Sequence, residues 1–520
     1  MGDFAKVGAK PAQEVELKFE LEPEALDRLE ERLTVRAADL SPAQTVVSVY
    51  YDTPSQALRK AGLTLRVRTD GGRSIQTVKT VGDGLFTRGE WECDLVQDGL
   101  NLDALSQTPF AETFGDAAPL LKPIFSTRMR RTRRLIREPA GEVEAALDRG
   151  DIEAAGRTIA VCELELELKS GLPEALFGLA RRLSESEPLR LSFETKAARG
   201  FRLLSAVSPG PNNGEPPRLN PDMTVAQAFA AIGARGLRQL TANAQTLRAL
   251  RRPEALHQAR VAIRRLRTAF KLFEAAARDN DYDRLAGELK WLGREMDEAR
   301  DLDVMIADTF RPAADRLHDQ KGLAELGRRM HAARGAAYDR ALKALDSPRY
   351  LTLTLDLAAW LDSGAWRAPD GRASGAIGPF ARQGLDRLRR QIKRQGKGLE
   401  GLSPDLRHKL RIRAKRLRYA VEFFGDLYDG AHGRKAFTQT LKGLQDALGS
   451  LNDLEVARRH GLALAESGGR AAGDSATQGA RQAFAAGLMI GARAKSEKPM
   501  LKTAGKLLDK LVAAEPFWRG

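Results

Sequence analysis

The chain has 520 residues, 42% of them hydrophobic and 29% charged, with a net charge of +15. At roughly 100–200 residues per domain, this length supplies several folding units, and the composition excludes wholesale disorder. No run approaches the roughly 18 apolar residues of a membrane span, and two cysteines, Cys93 and Cys162, exclude a disulfide framework or a cysteine-based zinc site.

The opening segment MGDFAKVGAK has no apolar signal-peptide core, and Lys6 stands where a myristoylation signal has Ser or Thr. A cytoplasmic location is the expectation. Charge is unevenly spread. Residues 1–200 hold 28 basic and 33 acidic side chains, whereas residues 201–520 hold 56 and 36. Two parts with different tasks are expected, the second drawn to a polyanion.

Up to residue 206, period-two alternation dominates: EVELKFEL at 14–21, TLRVRT at 64–69, SIQTVKT at 74–80, RGEWECDL at 88–95, EVEAALD at 142–148 and CELELEL at 162–168. Helical stretches interrupt it at 23–33 and 173–183. The polar faces are consistent in kind. Glu14, Glu16 and Lys18 share one face, as do Arg66 and Arg68, then Arg88, Glu90 and Glu92, then Glu163, Glu165 and Glu167. Polar residues of a half-buried strand ordinarily face water, and solvated sheet faces are one reading. The other is a sheet closed into a barrel with these charges inside. Such a lumen must be wet, because unpaired buried charges are too costly. Its carboxylates suit Mg²⁺ or Mn²⁺, and its cations suit a polyanion. Cys93 and Cys162 alternate onto the apolar faces and read as core residues. Asp52, before Thr53 and Pro54, reads as a turn or helix-start device. Residues 1–206 contain no histidine, so no Ser–His or Cys–His catalysis is supported.

Residues 11–206 resemble the CYTH domain, the triphosphate tunnel metalloenzyme fold. Its E-x-E-x-K hallmark stands here as Glu14-Val-Glu16-Leu-Lys18. The likeness continues through YYDT at 50–53, LRVR at 65–68, TVK at 77–79, RGEWE at 88–92, ALDRG at 146–150, CELELELKSG at 162–171 and KAARG at 196–200. The resemblance implies an antiparallel β-barrel tunnel of α+β class. It implies that Glu14, Glu16, Glu163 and Glu165 ligate metal, with Mg²⁺ or Mn²⁺ as cofactor and two ions expected. Lys18, Arg66, Arg68, Lys79, Arg88, Arg131, Arg133 and Lys196 would bind phosphoryl oxygens. Glu90, Glu92 and Asp148 would position the second metal, the water or the cationic side chains. In RMRRTRRLIR at 128–137, Arg131 and Arg133 stand only narrowly ahead of their neighbours. Thr195 departs from the serine that commonly precedes the final lysine.

Residues 207–222, VSPGPNNGEPPRLNPD, concentrate Pro, Gly and Asn and read as an interdomain linker, assigned to 207–218. Beyond it Leu, Ala and Arg recur at helical spacing. HQARVAIRRLRTAFKLF at 257–273 aligns without gaps to HKLRIRAKRLRYAVEFF at 408–424, and LKWLGREMDEARDLDV at 289–304 aligns to LKGLQDALGSLNDLEV at 441–456. Duplication of a helical unit explains both. Helical geometry puts His257, Arg260, Arg264 and Arg267 on one stripe, and His408, Arg411, Lys415 and Arg418 on its copy. One such stripe would be an ordinary wet helix face, whereas two in one register favour an anion site.

These elements resemble the CHAD domain, an all-α module of two pseudo-symmetric helical bundles, over roughly 219–515. The resemblance implies that the eight stripe residues bind inorganic polyphosphate. Arg300, Asp301 and Asp303 are either ligand contacts or capping and ion-pairing groups. Together the resemblances imply a metal-dependent inorganic triphosphatase with a polyphosphate-binding domain. A thiamine or nucleoside triphosphatase, an adenylate cyclase, and a non-catalytic polyphosphate scaffold are the alternatives. Nucleic-acid binding is disfavoured, because the stripes lack interleaved aromatic residues. No membrane partner is expected.

Overall fold

A computed structural model describes residues 12–36, 42–80, 85–96, 99–114, 120–205, 210–316, 321–428, 430–468 and 497–519, with a few residues between 484 and 491. The chain divides into two compact units. The first comprises the residues up to Asn212 together with Asp346–Gly364, and the second comprises Asn213–Leu345 and Ala365–Gly520.

The first unit is built on nine antiparallel strands: β1 (Ala12–Glu20), β2 (Gln44–Asp52), β3 (Leu63–Asp70), β4 (Arg73–Thr80), β5 (Thr87–Leu95), β6 (Lys122–Glu138), β7 (Gly141–Ala154), β8 (Arg157–Gly171) and β9 (Arg190–Leu191). Their order is β5-β4-β3-β2-β6-β7-β8-β1-β9. β1 pairs with β8 over Glu16–Glu20 and with β5 over Ala12–Val15, so the strand order returns on itself.

Period-two alternation sorts the two faces. Leu17 and Phe19 on β1, Val143, Ala145 and Leu147 on β7, and Leu164 and Leu166 on β8 are all almost fully buried. Helices Pro23–Arg36 and Glu174–Ser184 pack against this face. Burying each large apolar side chain contributes about 1.5–3 kcal/mol. The opposite face carries the charges, but not along its whole length. Tyr50, Phe125, Met129, Ile152 and Val161 share that face, and they form one apolar cluster with Ala197 and Phe201 of the helix Lys196–Leu204. A Cβ on Gly200 would lie 2.3 Å from the Phe125 ring, so this close approach requires glycine. Thr195 caps the helix by accepting a hydrogen bond from the Ala198 N–H.

The helix Pro348–Ser363 also belongs to the first unit, although the 219–515 assignment placed it in the helical domain. It packs on helix Glu174–Ser184 and β9, and Arg181 donates to Asp356 at 2.7 Å. Proline at its start and the Ser347 cap explain where it begins.

The second unit is helical among its described residues, apart from an isolated antiparallel bridge between Thr224 and Ala376. Its long helices include Val225–Leu250, Pro253–Ala277, Lys321–Leu345, Ile377–Gln395, Pro404–Phe423, Arg434–Gly468 and Glu497–Ala513. The expected linker does not hang free. The Asn213 carbonyl accepts from Gln239 and Arg265, and Leu219 is buried. No helix of the described residues is long and apolar enough to cross a membrane.

Candidate functional site

In the first unit, strand register assembles the charges. Across β6, β7 and β8 the partners run Arg131↔Asp148 and Asp148↔Glu163, and one step along Lys18 pairs with Glu165 across β1 and β8. Asp148, Glu163 and Glu165 each bring a carboxylate oxygen within 4.8 Å of the other two. Asp148 and Glu163 are fully buried. This triad shares Glu163 and Glu165 with the expected ligand set and adds Asp148. Glu16 lies beside Lys18 instead, at 3.7 Å, and the Glu14 and Arg88 side chains lie outside the described residues.

Cations interleave with the acids. Arg131 donates to both Asp148 oxygens at 2.7 and 2.5 Å and to Glu165 at 2.7 Å. The Lys18 ammonium is 3.0 Å from Glu165. The Lys196 ammonium is 2.8, 2.5 and 3.0 Å from Asp148, Glu163 and Glu165. Burial opposes the charge on Lys196, but the three carboxylates outweigh it and hold its pKa well above the usual lysine value. Burial likewise opposes charge on Glu165, and Lys18, Lys196 and Arg131 overcome it, holding this carboxyl well below its ordinary range. Burial opposes charge on Asp148 as well, and Lys196 and Arg131 lower its carboxyl pKa all the same.

A second group lines β3, β4 and β5. Lys79 sits 3.0 Å from Glu90, Arg66 3.9 Å from the same carboxylate, and Arg68 3.5 Å from Glu92, which also accepts from Thr77. On β6, Arg131 and Arg133 share the inward face. Arg133 bonds Asp70 at 2.6 Å and Gln44 at 3.1 Å. Arg130 and Arg134 point the other way, to Glu30 and Thr34 of the helix Pro23–Arg36. Sequence reasoning missed Arg199, which lies 2.5 Å from Glu20 and 2.8 Å from Glu163. Its signal was present, since positions 196 and 199 of KAARG share one helix face.

Asp52 is a structural cap. Its oxygens accept from the Thr53, Leu58 and Arg59 backbone N–H groups. Cys93 and Cys162 are half-buried rather than core residues, and burial raises both thiol pKa values.

Two buried carboxylates and a third that is partly exposed, with converging oxygens, form the hard donor set that Mg²⁺ or Mn²⁺ prefers, and they offer nothing to a metal wanting nitrogen or sulfur. The residues present fit such an ion.

In the second unit the two basic stripes meet. Helices Pro253–Ala277 and Pro404–Phe423 pack together, with Arg264 Nε 3.4 Å from the Tyr419 hydroxyl. Helices Asp297–Met305 and Arg434–Gly468 pack alongside. Asp297 pairs with Arg260 at 2.5 Å and Asp453 with Arg411 at 3.8 Å. Burial, then Arg411 and Arg264, push Lys415 down to about 6, with Asp453 only partly opposing. Burial, then Arg300, Arg264, Arg260 and Lys415, push His257 down to about 4. Its buried Nδ1 has no hydrogen-bond partner among the described residues. His408 instead contacts Asn452 at 2.6 Å. Arg267 is exposed, and Arg418 stacks over Tyr419 at 4.8 Å. Asp303 takes no part here. It is buried, accepting from Arg334 at 2.6 Å and Tyr338 at 2.8 Å.

Comparison with known proteins agrees with both units. The CYTH domain family model matches residues 12–201, and the CHAD domain model matches residues 231–461. The solved CHAD domain of the plant Ricinus communis is 32% identical, with 98% of that chain covered by 59% of this one at a TM-score of 0.51. The chain belongs to the CHAD family, and its first unit carries a CYTH domain. A Haemophilus influenzae protein named inorganic triphosphatase is 31% identical over 198 residues, which are 37% of this chain and 55% of the relative's length. An uncharacterized Mycobacterium tuberculosis protein is 26% identical across 97% of this chain and 98% of its own. The CHAD match runs through the helix Pro348–Ser363, which packs in the CYTH unit.

Proposed function

We propose that this CYTH–CHAD protein hydrolyses inorganic triphosphate to diphosphate and phosphate with a divalent ion, Mg²⁺ or Mn²⁺, and binds inorganic polyphosphate through its CHAD unit. The observation that carries the reading is the convergent Asp148, Glu163 and Glu165 triad, ringed by Lys18, Arg131 and Lys196 on the inward sheet face. The name of the Haemophilus relative supports the same substrate class.

In this reading Asp148, Glu163 and Glu165 hold the ion, which supplies Lewis-acid neutralisation of phosphoryl charge. Lys18, Arg66, Arg68, Lys79, Arg88, Arg131, Arg133 and Lys196 hold the polyanion along the lumen, with Glu14 and Glu16 completing the acidic set. Glu90 and Glu92 orient the attacking water or the nearby cations. A water oxygen forms the new bond to a terminal phosphorus as the bridging P–O bond breaks. Diphosphate leaves with the electron pair, and the water's protons pass to phosphate and solvent. Positioning and charge neutralisation supply the rate enhancement.

The test is a phosphate-release screen of the full chain with Mg²⁺ or Mn²⁺ over inorganic triphosphate, longer polyphosphate, ATP and thiamine triphosphate. Preference for inorganic triphosphate is expected. Preference for a nucleoside or thiamine triphosphate would reassign the substrate, and no release from any would refute hydrolysis.

A further inference from the structure

We infer that the Lys196 ammonium is a built-in competitor for the metal cage, so that the ligand-free protein takes a divalent ion poorly and loads it together with triphosphate. The inference rests on the reading that Asp148, Glu163 and Glu165 hold a divalent ion. Their oxygens converge within 4.8 Å, and the point they converge on is already served by one cation. Lys196 Nζ reaches all three carboxylates at 2.8, 2.5 and 3.0 Å, which are the separations of direct ion pairs. A divalent ion bound by the same oxygens would stand within a few ångströms of that ammonium.

Charge sharpens the conflict. Around the cage, Asp148, Glu163, Glu165, Glu16 and Glu20 meet Lys18, Arg131, Lys196 and Arg199. Adding a dication to this nearly balanced, largely buried cluster leaves excess positive charge in a poorly solvated place. A triphosphate, with several negative charges, resolves this by giving the displaced cations new partners.

The local structure permits the exchange. Helix Lys196–Leu204 is fixed by its Thr195 cap and by Phe201 and Gly200 packing on Phe125. The Lys196 backbone is thereby held while its four-carbon stem, with rotatable bonds throughout, is free to swing the ammonium from carboxylate to phosphate. Arg131, clamped by bidentate bonds to Asp148, is less suited to that movement.

The experiment is calorimetric titration of Mn²⁺ into the full chain, as wild type and as Lys196→Met, without any phosphate compound. Removing the competitor should tighten Mn²⁺ binding about tenfold, within the usual range of coupling between sites. Titration is repeated in wild type with imidotriphosphate, a non-hydrolysable analogue. It should tighten Mn²⁺ to a similar degree, and Mn²⁺ should tighten the analogue by the same factor. A folded Lys196→Met variant that binds Mn²⁺ no better than wild type overturns the inference. If that variant does not fold, the wild-type linkage decides, and equal Mn²⁺ affinity with and without analogue overturns it. These outcomes are separate from turnover. Triphosphate hydrolysis without a Lys196 effect leaves the function standing and removes the competitor, whereas the Lys196 effect without hydrolysis does the reverse.

Discussion

The CYTH lumen and the CHAD stripes both gather cations, yet they treat charge in opposite ways. In the lumen each inward cation described has a carboxylate beside it, and these pairings hold Lys18 and Lys196 firmly charged. In the CHAD cluster the cations largely face one another, and Lys415 falls to about 6 and His257 to about 4. A balanced site must exchange partners to take a ligand, which favours a metal and an anion arriving together. A self-repelling site gains from any anion, and gains more from one that spans both stripes.

The largest expected effect is on the balanced side. Glu163→Gln with Glu165→Gln keeps shape but removes two of three triad carboxylates. Turnover of triphosphate should fall by more than about a hundredfold, beyond what loss of an outer-shell partner costs. Steady-state kinetics at saturating Mn²⁺ check this, with circular dichroism confirming the fold. Near-normal turnover would place the ion elsewhere.

Next, Arg264→Glu with Lys415→Glu should abolish polyphosphate binding while leaving triphosphate hydrolysis nearly intact. Polyphosphate affinity of the wild type should weaken with added salt. Binding by the double variant at low salt would dissolve the contrast between the sites. Competition at matched phosphate concentration also tests the nucleic-acid alternative, which wins if DNA or RNA displaces polyphosphate.

A smaller effect sharpens the comparison through pH. Lys415 is mostly uncharged above pH 6 in the free protein. A bound polyanion favours its charged form, so binding takes up a proton. Affinity should rise as pH falls toward 6, by up to about tenfold per unit for one group, and level off below that value. Lys415→Met should flatten the slope, and calorimetry in buffers of different ionisation enthalpy would read the proton uptake. An unchanged slope would assign the linkage to another group.

The smallest effect is a control on the sheet's two faces. Arg130 pairs with Glu30 on the helix-covered side and is itself half exposed. Arg130→Ala should cost under about 1 kcal/mol in denaturant melts and leave turnover unchanged.

Much of this was legible in the chain. Period-two alternation separates Arg131 and Arg133 from Arg130 and Arg134, although only the covering helix shows which pair is inward. The gapless repeat anticipates that the 257–267 and 408–418 stripes are equivalent, and the packing brings Arg264 to Tyr419 beside Lys415. Other features depend on register and docking, which alternation does not encode. Asp148 joins Glu163 because β7 and β8 pair at that step. The apolar layer of Tyr50, Phe125 and Met129 shares the face that carries the charges. The apolar residues of Pro348–Ser363 call for a partner surface but do not say which, and the helix packs in the first unit. Fragments cut at the sequence linker would therefore strip that helix from its bed, so the full chain is the proper material for these tests.

The most direct measurement is phosphorus NMR of inorganic triphosphate incubated with the full chain, with Mn²⁺ or Mg²⁺ and then with excess chelator. One diphosphate and one phosphate should appear per triphosphate consumed, and chelation should arrest the reaction. Triphosphate that persists unchanged with either metal would contradict it.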